Sequence, residues 1–120
     1  MKITQCLHTA LLVSDLDKAE QFYSQTLGLP KVDRSLNYPG AWYQIGEHQL
    51  HLMVHPNFKT EPHNQEKRGR NPHVAFAVDN LDEAKQRLLS GGYGLQMSSS
   101  GRAALFTQDP DGNIIEISQI

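Results

Sequence analysis

The sequence has few of the features that cross-link or anchor a small protein. Of its 120 residues only one, Cys6, is a cysteine, which excludes an internal disulfide. Because Cys6 lies among apolar residues in an apparent strand, we expect its thiol to be buried and inert. A chain of this length can build one domain core without disulfide or metal support.

Long apolar runs and an excess of either charge are also missing. No stretch approaches the roughly 20 apolar residues that a membrane helix needs, and MKITQCLHTA lacks the layout of a signal peptide. The 11 basic and 13 acidic residues form no long run of one sign, which gives no reason to expect nucleic acid or a membrane surface. We therefore predict a cytoplasmic protein whose partner is a small-molecule substrate.

What the chain does contain is an internal repeat. A shift of 65 residues aligns HTALLVSDLDKAEQ, starting at His8, with HVAFAVDNLDEAKQ, starting at His73, and 7 of these 14 positions are identical. Such agreement indicates a duplicated supersecondary unit. We predict two modules, at about residues 1–56 and 72–120, joined by a linker at about residues 57–71.

Each copy reads as a strand followed by a helix. The polar clusters SDLD and DNLDE precede apolar residues at helical spacing, and Asn80 with Glu83 approximates a capping box. Gly28 in one copy, and Gly91 with Gly92 in the other, supply left-handed stops. The pattern predicts two helices of about three turns each.

Three short β-prone segments follow each helix. They lie at about residues 31–36, 41–45 and 49–55 in the first copy, and 95–98, 103–107 and 113–120 in the second. DPDGN joins the last two as a hairpin turn, and IGEHQ is its first-copy counterpart. The predicted fold is α+β with two βαβββ modules, and the polar segment from His55 to Pro72 is interpreted as a linker rather than a lid.

Four residues of metal-ligand type occupy equivalent positions in the repeat. The same shift aligns His8 with His73 in the first strands and His51 with Glu116 in the last strands. Side chains alternate across a strand, and both histidines share their faces with small residues while bulkier apolar residues take the opposite faces. We therefore expect helices to pack on the bulky faces and the histidine faces to line a cavity.

Each of these four residues, taken singly, is equally well explained as a satisfied strand histidine or an exposed carboxylate. Their placement in the repeat favours a metal site, because burying Glu116 without a partner is costly and a cation would offset that cost. Imidazole and carboxylate suit Ni, Co, Zn, Mn or Fe(II). We predict a divalent transition metal held by His8, His51, His73 and Glu116, with Glu116 and His51 as catalytic candidates.

Other polar and aromatic residues carry weaker signals. We interpret three further histidines as surface or rim residues: His48, His55 and His63. Four arginines are candidate anchors for an anionic substrate, although solvated surface charge explains each as well: Arg34, Arg68, Arg70 and Arg102. Because Trp42 and Tyr43 are adjacent in a predicted strand, only one of them can face the cavity.

Three segments, HTALLVSDLDKAEQFYSQTLGL, PHVAFAVDNLDEA and above all DPDGNIIEI, resemble the glyoxalase, bleomycin-resistance protein and extradiol dioxygenase superfamily, also called vicinal oxygen chelate proteins. The resemblance covers nearly the whole chain. It implies that paired βαβββ modules form a half-open barrel, with ligands from the first and last strands of each module. It also implies a homodimer, for which open sheet edges give a physical reason.

Carried over by position, the superfamily's ligands fall on His8, His51, His73 and Glu116. In the glyoxalase I pattern the position of His51 is usually Glu or Gln, so the histidine here departs from it. The dioxygenase and fosfomycin thiol-transferase patterns use two histidines and one glutamate, which His8, His73 and Glu116 would supply. In that case His51 is either a fourth ligand or a nearby acid or base.

The function that the resemblance implies first is a glyoxalase-like lyase or isomerase acting on a small oxygen-chelating substrate. A metal would polarise a substrate oxygen while Glu116 or His51 moves the neighbouring proton. Extradiol-type dioxygenase activity and fosfomycin-type thiol transfer are alternatives within the enzymes. A non-catalytic binding protein of the bleomycin-resistance kind is the alternative outside them, and such members generally lack the ligand set.

Overall fold

The computed structural model describes residues 1–120 and divides them into two compact units, residues 1–58 and 59–120. The first unit contains β1 (His8–Val13), α1 (Leu16–Glu20) with a π-helical continuation (Gln21–Thr26), β2 (Lys31–Val32), β3 (Gly40–Ile45) and β4 (His48–Val54). The second contains a 3₁₀ turn (Arg68–Arg70), β5 (His73–Val78), α2 (Leu81–Ser90), β6 (Leu95–Met97), β7 (Ala104–Gln108) and β8 (Ile114–Gln119). The α+β class with two βαβββ modules is thus confirmed.

The two sheets have the same topology. Their strand orders are β1-β4-β3-β2 and β5-β8-β7-β6, and in each the first strand runs parallel to the last while the other pairs are antiparallel. The parallel registers match after the shift of 65 residues, because Ala10 pairs with His51 and Ala75 pairs with Glu116. The repeat in the sequence is therefore a repeat in backbone pairing.

The hairpins β3–β4 and β7–β8 are equivalent at a different shift. Trp42 pairs with His51, whereas Phe106 pairs with Glu116, because the turn DPDGN is one residue longer than its first-module counterpart. A glutamine stabilises each turn, since the Gln44 side chain donates to the Gly46 carbonyl and the Gln108 side chain donates to the Gly112 carbonyl.

Both helices begin as the sequence predicts. The side chain of Asp15 accepts a hydrogen bond from the Lys18 amide at 3.1 Å, and that of Asn80 accepts one from the Glu83 amide at 3.0 Å. The second half of the first helix differs from the expected regular helix, because the Leu27 amide donates to the Phe22 carbonyl, five residues back. This wider turn allows the adjacent rings of Phe22 and Tyr23 to be fully buried.

Most strand bounds lie within one or two residues of their predicted positions, but β2 is much shorter than residues 31–36. It ends at Val32, before a segment in which Asn37 favours a turn and Pro39 has no amide hydrogen to donate to a sheet.

The buried residues lie where helices cover the sheets. In the first unit they include Val13, Phe22, Tyr23, Tyr43, Leu50 and Leu52, and in the second Leu88, Leu105, Ile115 and Ile117. The prediction for Cys6 was wrong: the residue is exposed and lies before β1 rather than in a strand. The apolar neighbours that suggested burial mislead, because Ile3 and Leu7 are also exposed. No helix of the chain is long and apolar enough to span a bilayer.

The segment interpreted as a linker is an ordered part of the second unit. The Thr60 amide donates to the Asp111 carbonyl at 2.9 Å, which ties this segment to the β7–β8 turn. Gly112 has a φ of +95°, and a Cβ there would meet the Thr60 carbonyl oxygen. The close approach of the two backbones therefore needs a glycine at this position.

Candidate functional site

The strands place each predicted ligand on the less covered face of its sheet. His8 and His73 begin β1 and β5, both are exposed, and His51 is half-buried in β4. Glu116 in β8 is only 9% exposed. The alternation expected from the sequence brings His8 to His51 and His73 to Glu116, so that each module contains one pair.

In the first module the paired side chains form a stack of rings. The His8 and His51 rings lie 4.0 Å apart at an angle of 13°, and the Trp42 ring covers the other side of His51 at 4.2 Å and 8°. Trp42 reaches this position because it pairs with His51 across the strands. Of the two adjacent aromatic residues, Trp42 therefore faces the candidate site, while Tyr43 is buried in the core.

A relay of glutamines fixes the tautomer of His51. The Gln44 side-chain nitrogen donates to the Gly46 carbonyl at 2.6 Å, the Gln49 nitrogen donates to the Gln44 oxygen at 2.7 Å, and His51 Nε2 lies 2.8 Å from the Gln49 oxygen. A backbone carbonyl only accepts, so the direction of the whole relay follows from the Gly46 end. His51 must donate from Nε2, which leaves its lone pair on Nδ1.

The surroundings of His51 favour the neutral ring. Burial lowers the pKa of His51 below its usual value of 6.5, and the nearby His8, Arg34 and His48 lower it further. Arg34 reaches the stack from the loop after β2, where its guanidinium lies 4.9 Å from the Tyr38 ring centre and 6.0 Å from that of Trp42.

In the second module the pair is ionic rather than stacked. His73 Nε2 lies 3.3 Å from Glu116 Oε1, and His73 Nδ1 donates to the Asn71 carbonyl at 2.6 Å. Because that carbonyl can only accept, Nδ1 carries a hydrogen. Nε2 therefore faces the carboxylate either with a second proton or with a lone pair, and in the second case a cation is needed to hold the two donors together.

Glu116 has further partners on its other oxygen. The Ser118 hydroxyl donates to Oε2 at 2.7 Å, and Arg102 Nη1 lies 3.7 Å from the same atom. Burial alone would raise the pKa of Glu116, but the Ser118 hydrogen bond and the charges of Arg102 and His73 outweigh it and hold the pKa below its usual 4.5. The compensation that the sequence assigned to a metal thus comes partly from the chain itself.

The two pairs differ in how well they suit a divalent metal. His73 Nε2 and Glu116 Oε1 are directed at each other, and the hydrogen bond from Nδ1 orients the ring as in many histidine ligands. His8 and His51 are nearly parallel, so their lone pairs lie in separate planes and do not converge on one ion. No group of three or more His, Cys, Asp or Glu side chains comes together in the chain.

A cavity of about 480 Å³ opens in the second module beside Glu116. Its walls are the 3₁₀ turn and the loop between β6 and β7, and they carry mostly basic and hydroxyl side chains: Lys67, Arg68, Arg70, Ser98, Ser99, Ser100 and Arg102. The ring of Phe106 also lines it and makes an edge contact with His73, with ring centres 5.7 Å apart.

Sequence reasoning missed the residues that orient the predicted ligands. Gln49 and Ser118 each lie two positions from a ligand on the same strand face, so strand alternation was a signal that could have found them. Gln44 and Asn71 act through contacts that only the fold reveals. His48, interpreted as a rim residue, is half-buried, and its Nε2 lies 2.9 Å from the Thr9 hydroxyl; the items for His55 and His63 show both exposed.

Comparison with known proteins agrees with this architecture. A lactoylglutathione lyase of Salmonella typhimurium is 27% identical over 120 residues, covering 92% of this chain and 89% of its own length. A glyoxalase/dioxygenase from Nostoc punctiforme superposes with a TM-score of 0.78 at 23% identity, covering 96% of this chain and 90% of its own. A fosfomycin resistance protein from Listeria monocytogenes gives a TM-score of 0.76 at 17% identity, covering 99% and 95%.

The last two likenesses show a shared fold, since both identities lie below 25%. The family is shown by a match along nearly the whole sequence. The family model described as Glyoxalase/Bleomycin resistance protein/Dioxygenase superfamily matches residues 5–117, and the chain therefore belongs to this superfamily.

Proposed function

We propose that this protein is a divalent-metal-dependent enzyme of the glyoxalase type, a lyase or isomerase acting on a small substrate that chelates through oxygen. The observation that carries the proposal is the His73–Glu116 pair, in which an imidazole nitrogen and a carboxylate oxygen face each other at 3.3 Å. Its position in the register is the same as that of His51 in the other module. A duplicated scaffold that carries donor residues at both equivalent places supports a shared metal-binding role.

The donors that would hold the metal are His8, His73 and Glu116. The His8 ring makes no hydrogen bond through either nitrogen, so a donor atom is available without breaking a contact. Together they form a two-histidine, one-carboxylate set, which suits Ni, Co, Zn, Mn or Fe(II). When bound, the metal supplies a Lewis acid that polarises a substrate oxygen.

His51 is better suited to handling a proton than to binding metal. Its Nε2 is occupied by Gln49, and the rings of His8 and Trp42 hold the imidazole plane between them. Nδ1 is therefore the atom that would accept a proton from a carbon next to the polarised oxygen. Glu116 is the second candidate for this role, because its Oε1 faces His73 rather than a fixed backbone donor.

The relatives point to the first substrate to test. The Salmonella relative is named a lactoylglutathione lyase, and this chain covers most of its length. We therefore propose lactoylglutathione as the first compound for an activity assay. The proposal also includes a homodimer, as the family resemblance implies, and sedimentation of the purified protein measures its mass.

A second candidate function is an extradiol-type dioxygenase or a fosfomycin-type thiol transferase. The observation that favours either is the two-histidine, one-glutamate set itself, together with His51 in place of the glutamate or glutamine usual in glyoxalase I. Fe(II)-dependent oxygen uptake with a catechol, or loss of free thiol with fosfomycin, would replace the lyase proposal. A non-catalytic small-molecule binding protein is the reading that remains if no metal binds.

The experiment that tests the proposal measures metal binding and turnover on the same set of variants. We expect the wild-type protein to bind about one equivalent of Ni, Co or Zn in calorimetry, and His8→Ala and Glu116→Gln each to weaken binding by about 100-fold or more. His51→Gln is the matched control, because it removes the imidazole while keeping a hydrogen-bonding side chain; it should weaken metal binding less than tenfold yet reduce kcat by about 100-fold or more.

The proposal fails if the protein binds no divalent metal after reconstitution, or if Glu116→Gln leaves both metal affinity and turnover unchanged. A loss of metal affinity in His51→Gln as large as that in His8→Ala would instead make His51 a fourth ligand, as the family pattern implies.

A further inference from the structure

The cavity beside Glu116 has a strongly unbalanced charge. Four of its lining side chains are cationic, Lys67, Arg68, Arg70 and Arg102, and only one, Glu116, is anionic. A concave surface lined by one sign of charge concentrates ions of the opposite sign. The lining therefore favours an anionic ligand over a neutral or cationic one.

Three of these cations are not used by the protein. Lys67, Arg68 and Arg70 form no ion pair, in contrast to Arg102, which lies 3.7 Å from Glu116. The Nε atom of Arg68 is buried and has no hydrogen-bond partner. A buried donor without a partner costs free energy, and a ligand oxygen would remove that cost.

The wall that carries these cations is rigidly built. Asn71 is 6% exposed, and its side chain bonds the Asn64 amide and the carbonyls of Asn64 and Arg68 at 2.8–2.9 Å. The Gln96 side chain accepts from the Arg68 amide at 2.9 Å and donates to the Glu66 carbonyl at 3.1 Å. The segment that looked like a linker in the sequence is thus fastened to the sheet on both sides of Arg68.

Gly69 lets this wall lie directly on the sheet. A Cβ at Gly69 would come within 2.5 Å of the Phe106 ring, so any side chain there would push the turn away. The glycine between Arg68 and Arg70 therefore fixes the position of both guanidinium groups relative to the cavity. Such an arrangement is more than a solvated run of basic residues.

The opposite wall supplies hydroxyl groups. The Ser100 hydroxyl accepts from Arg102 Nε at 3.2 Å and lies 2.8 Å from the Ser98 hydroxyl. Ser99 also lines the cavity. Guanidinium groups facing hydroxyl groups are a common environment for the oxygens of a phosphate, phosphonate or carboxylate.

We infer that this cavity binds the oxyanion group of a small substrate, a phosphate, phosphonate or carboxylate held by Arg68 and Arg102 and by the serine hydroxyls. The assignment of this ligand as substrate rests on the proposed function. Since Arg102 lies next to Glu116, the oxyanion is placed close to the reacting oxygens of the substrate rather than at a remote end. The substrate class is thus a small acid whose chelating oxygens lie near its anionic group.

The test measures binding of simple anions to the metal-free protein, without turnover. Inorganic phosphate and glycolate are titrated at low ionic strength, and binding is followed by calorimetry and by backbone amide NMR shifts. We expect Arg68→Gln to weaken binding of the preferred anion by about tenfold or more, because it removes a charge-assisted hydrogen bond. Its backbone contact with Gln96 is kept, so the thermal transition should change little.

Two further variants make the result specific. Lys18→Gln, an equal charge change at an exposed site in the other module, should leave anion affinity unchanged. Glu116→Gln should strengthen anion binding because it removes the only negative charge of the cavity, although the proposed function predicts that it weakens metal binding. A protein that binds anions but no metal would retain this inference and lose the proposed function.

The two anions distinguish the chemistry of the ligand. Tighter binding of phosphate assigns a phosphate or phosphonate group, and tighter binding of glycolate assigns a carboxylate. The inference is overturned if neither anion binds, if Arg68→Gln binds as tightly as wild type, or if the NMR shifts map away from residues 67–70 and 98–102.

Discussion

The two modules share a backbone and differ in chemistry. In both, the last strand pairs with the first in the same register, and a donor residue occupies the same place on it. The first module surrounds that residue with rings, since His51 lies between His8 and Trp42. The second surrounds it with charge, since Glu116 contacts His73 and Arg102.

This difference shows what a duplication preserves. Strand pairing and hairpin geometry are determined by patterns of alternation and turn residues that tolerate many side chains, so they persist in both copies. The chemistry of a site depends on single residues and can differ between the copies without altering the sheet. The same scaffold thus provides a fixed neutral imidazole in one module and a carboxylate among cations in the other.

The largest expected difference concerns the equivalent turn glycines. Gly112 has a φ of +95° and no room for a Cβ, whereas Gly46 has a φ of +58° and open space around it. Gly112→Ala should lower the free energy of unfolding by about 3 kcal/mol or more, and Gly46→Ala by about 1 kcal/mol. Urea denaturation measures both, and equal losses would mean that the tie between the second turn and residue 60 does not stabilise the fold.

The next comparison involves the residues two positions before the first histidine of each module. Asn71 is buried and satisfies three backbone groups, while its counterpart Cys6 is exposed. Asn71→Ala should cost about 2 kcal/mol, because buried backbone groups lose their partners. Cys6→Ser should leave the thermal transition unchanged. A small effect of Asn71→Ala would argue that the segment before β5 is less firmly held than the contacts indicate.

Smaller effects are expected at the helix caps. Asn80 begins a regular helix of ten residues, and Asp15 begins a helix that becomes π-helical after five. Removing either cap by substitution with alanine should cost about 1 kcal/mol. Thermal denaturation of Asn80→Ala and Asp15→Ala measures this directly, with Asn80→Asp as the control that keeps an acceptor. A loss near zero in one variant would show that its helix is held by packing alone.

The modules should also respond to opposite extremes of pH. The pKa of Glu116 lies below 4.5 in the folded protein, so its contribution to stability is present above that pH and is lost as the pH falls through the folded value. Burial raises the pKa of Tyr43 above 10.0 despite its hydrogen bond with Ser24. Its contribution is therefore present below pH 10 and is lost at higher pH.

Glu116→Gln should flatten the acid side of the stability curve for the metal-free protein, and Tyr43→Phe should flatten the alkaline side. Each effect is a change in slope, which urea midpoints across the pH range measure. If Glu116→Gln altered the alkaline side, or Tyr43→Phe the acid side, the two titrations would not be independent.

The sequence predicts the fold well because the fold depends on repeated, local signals. Strand alternation brings His8 to His51 and His73 to Glu116 without knowledge of tertiary contacts. The glutamine relay and the contacts of Asn71 were not predictable, because they join residues whose proximity arises only after the chain folds. Burial of Cys6 was predicted wrongly, since an apolar neighbourhood in sequence does not ensure that a strand or helix covers the residue.

One extra residue in the DPDGN turn has a consequence for how such duplications are detected. A single fixed offset aligns the donor residues but fails on β7, where Phe106 rather than Thr107 occupies the place of Trp42. The insertion absorbs the offset in a turn, so neither strand is flipped and each aromatic ring stays opposite its donor. Comparison of strand pairing therefore measures the kinship of the two halves more faithfully than letter-by-letter alignment, which stops counting at the first insertion.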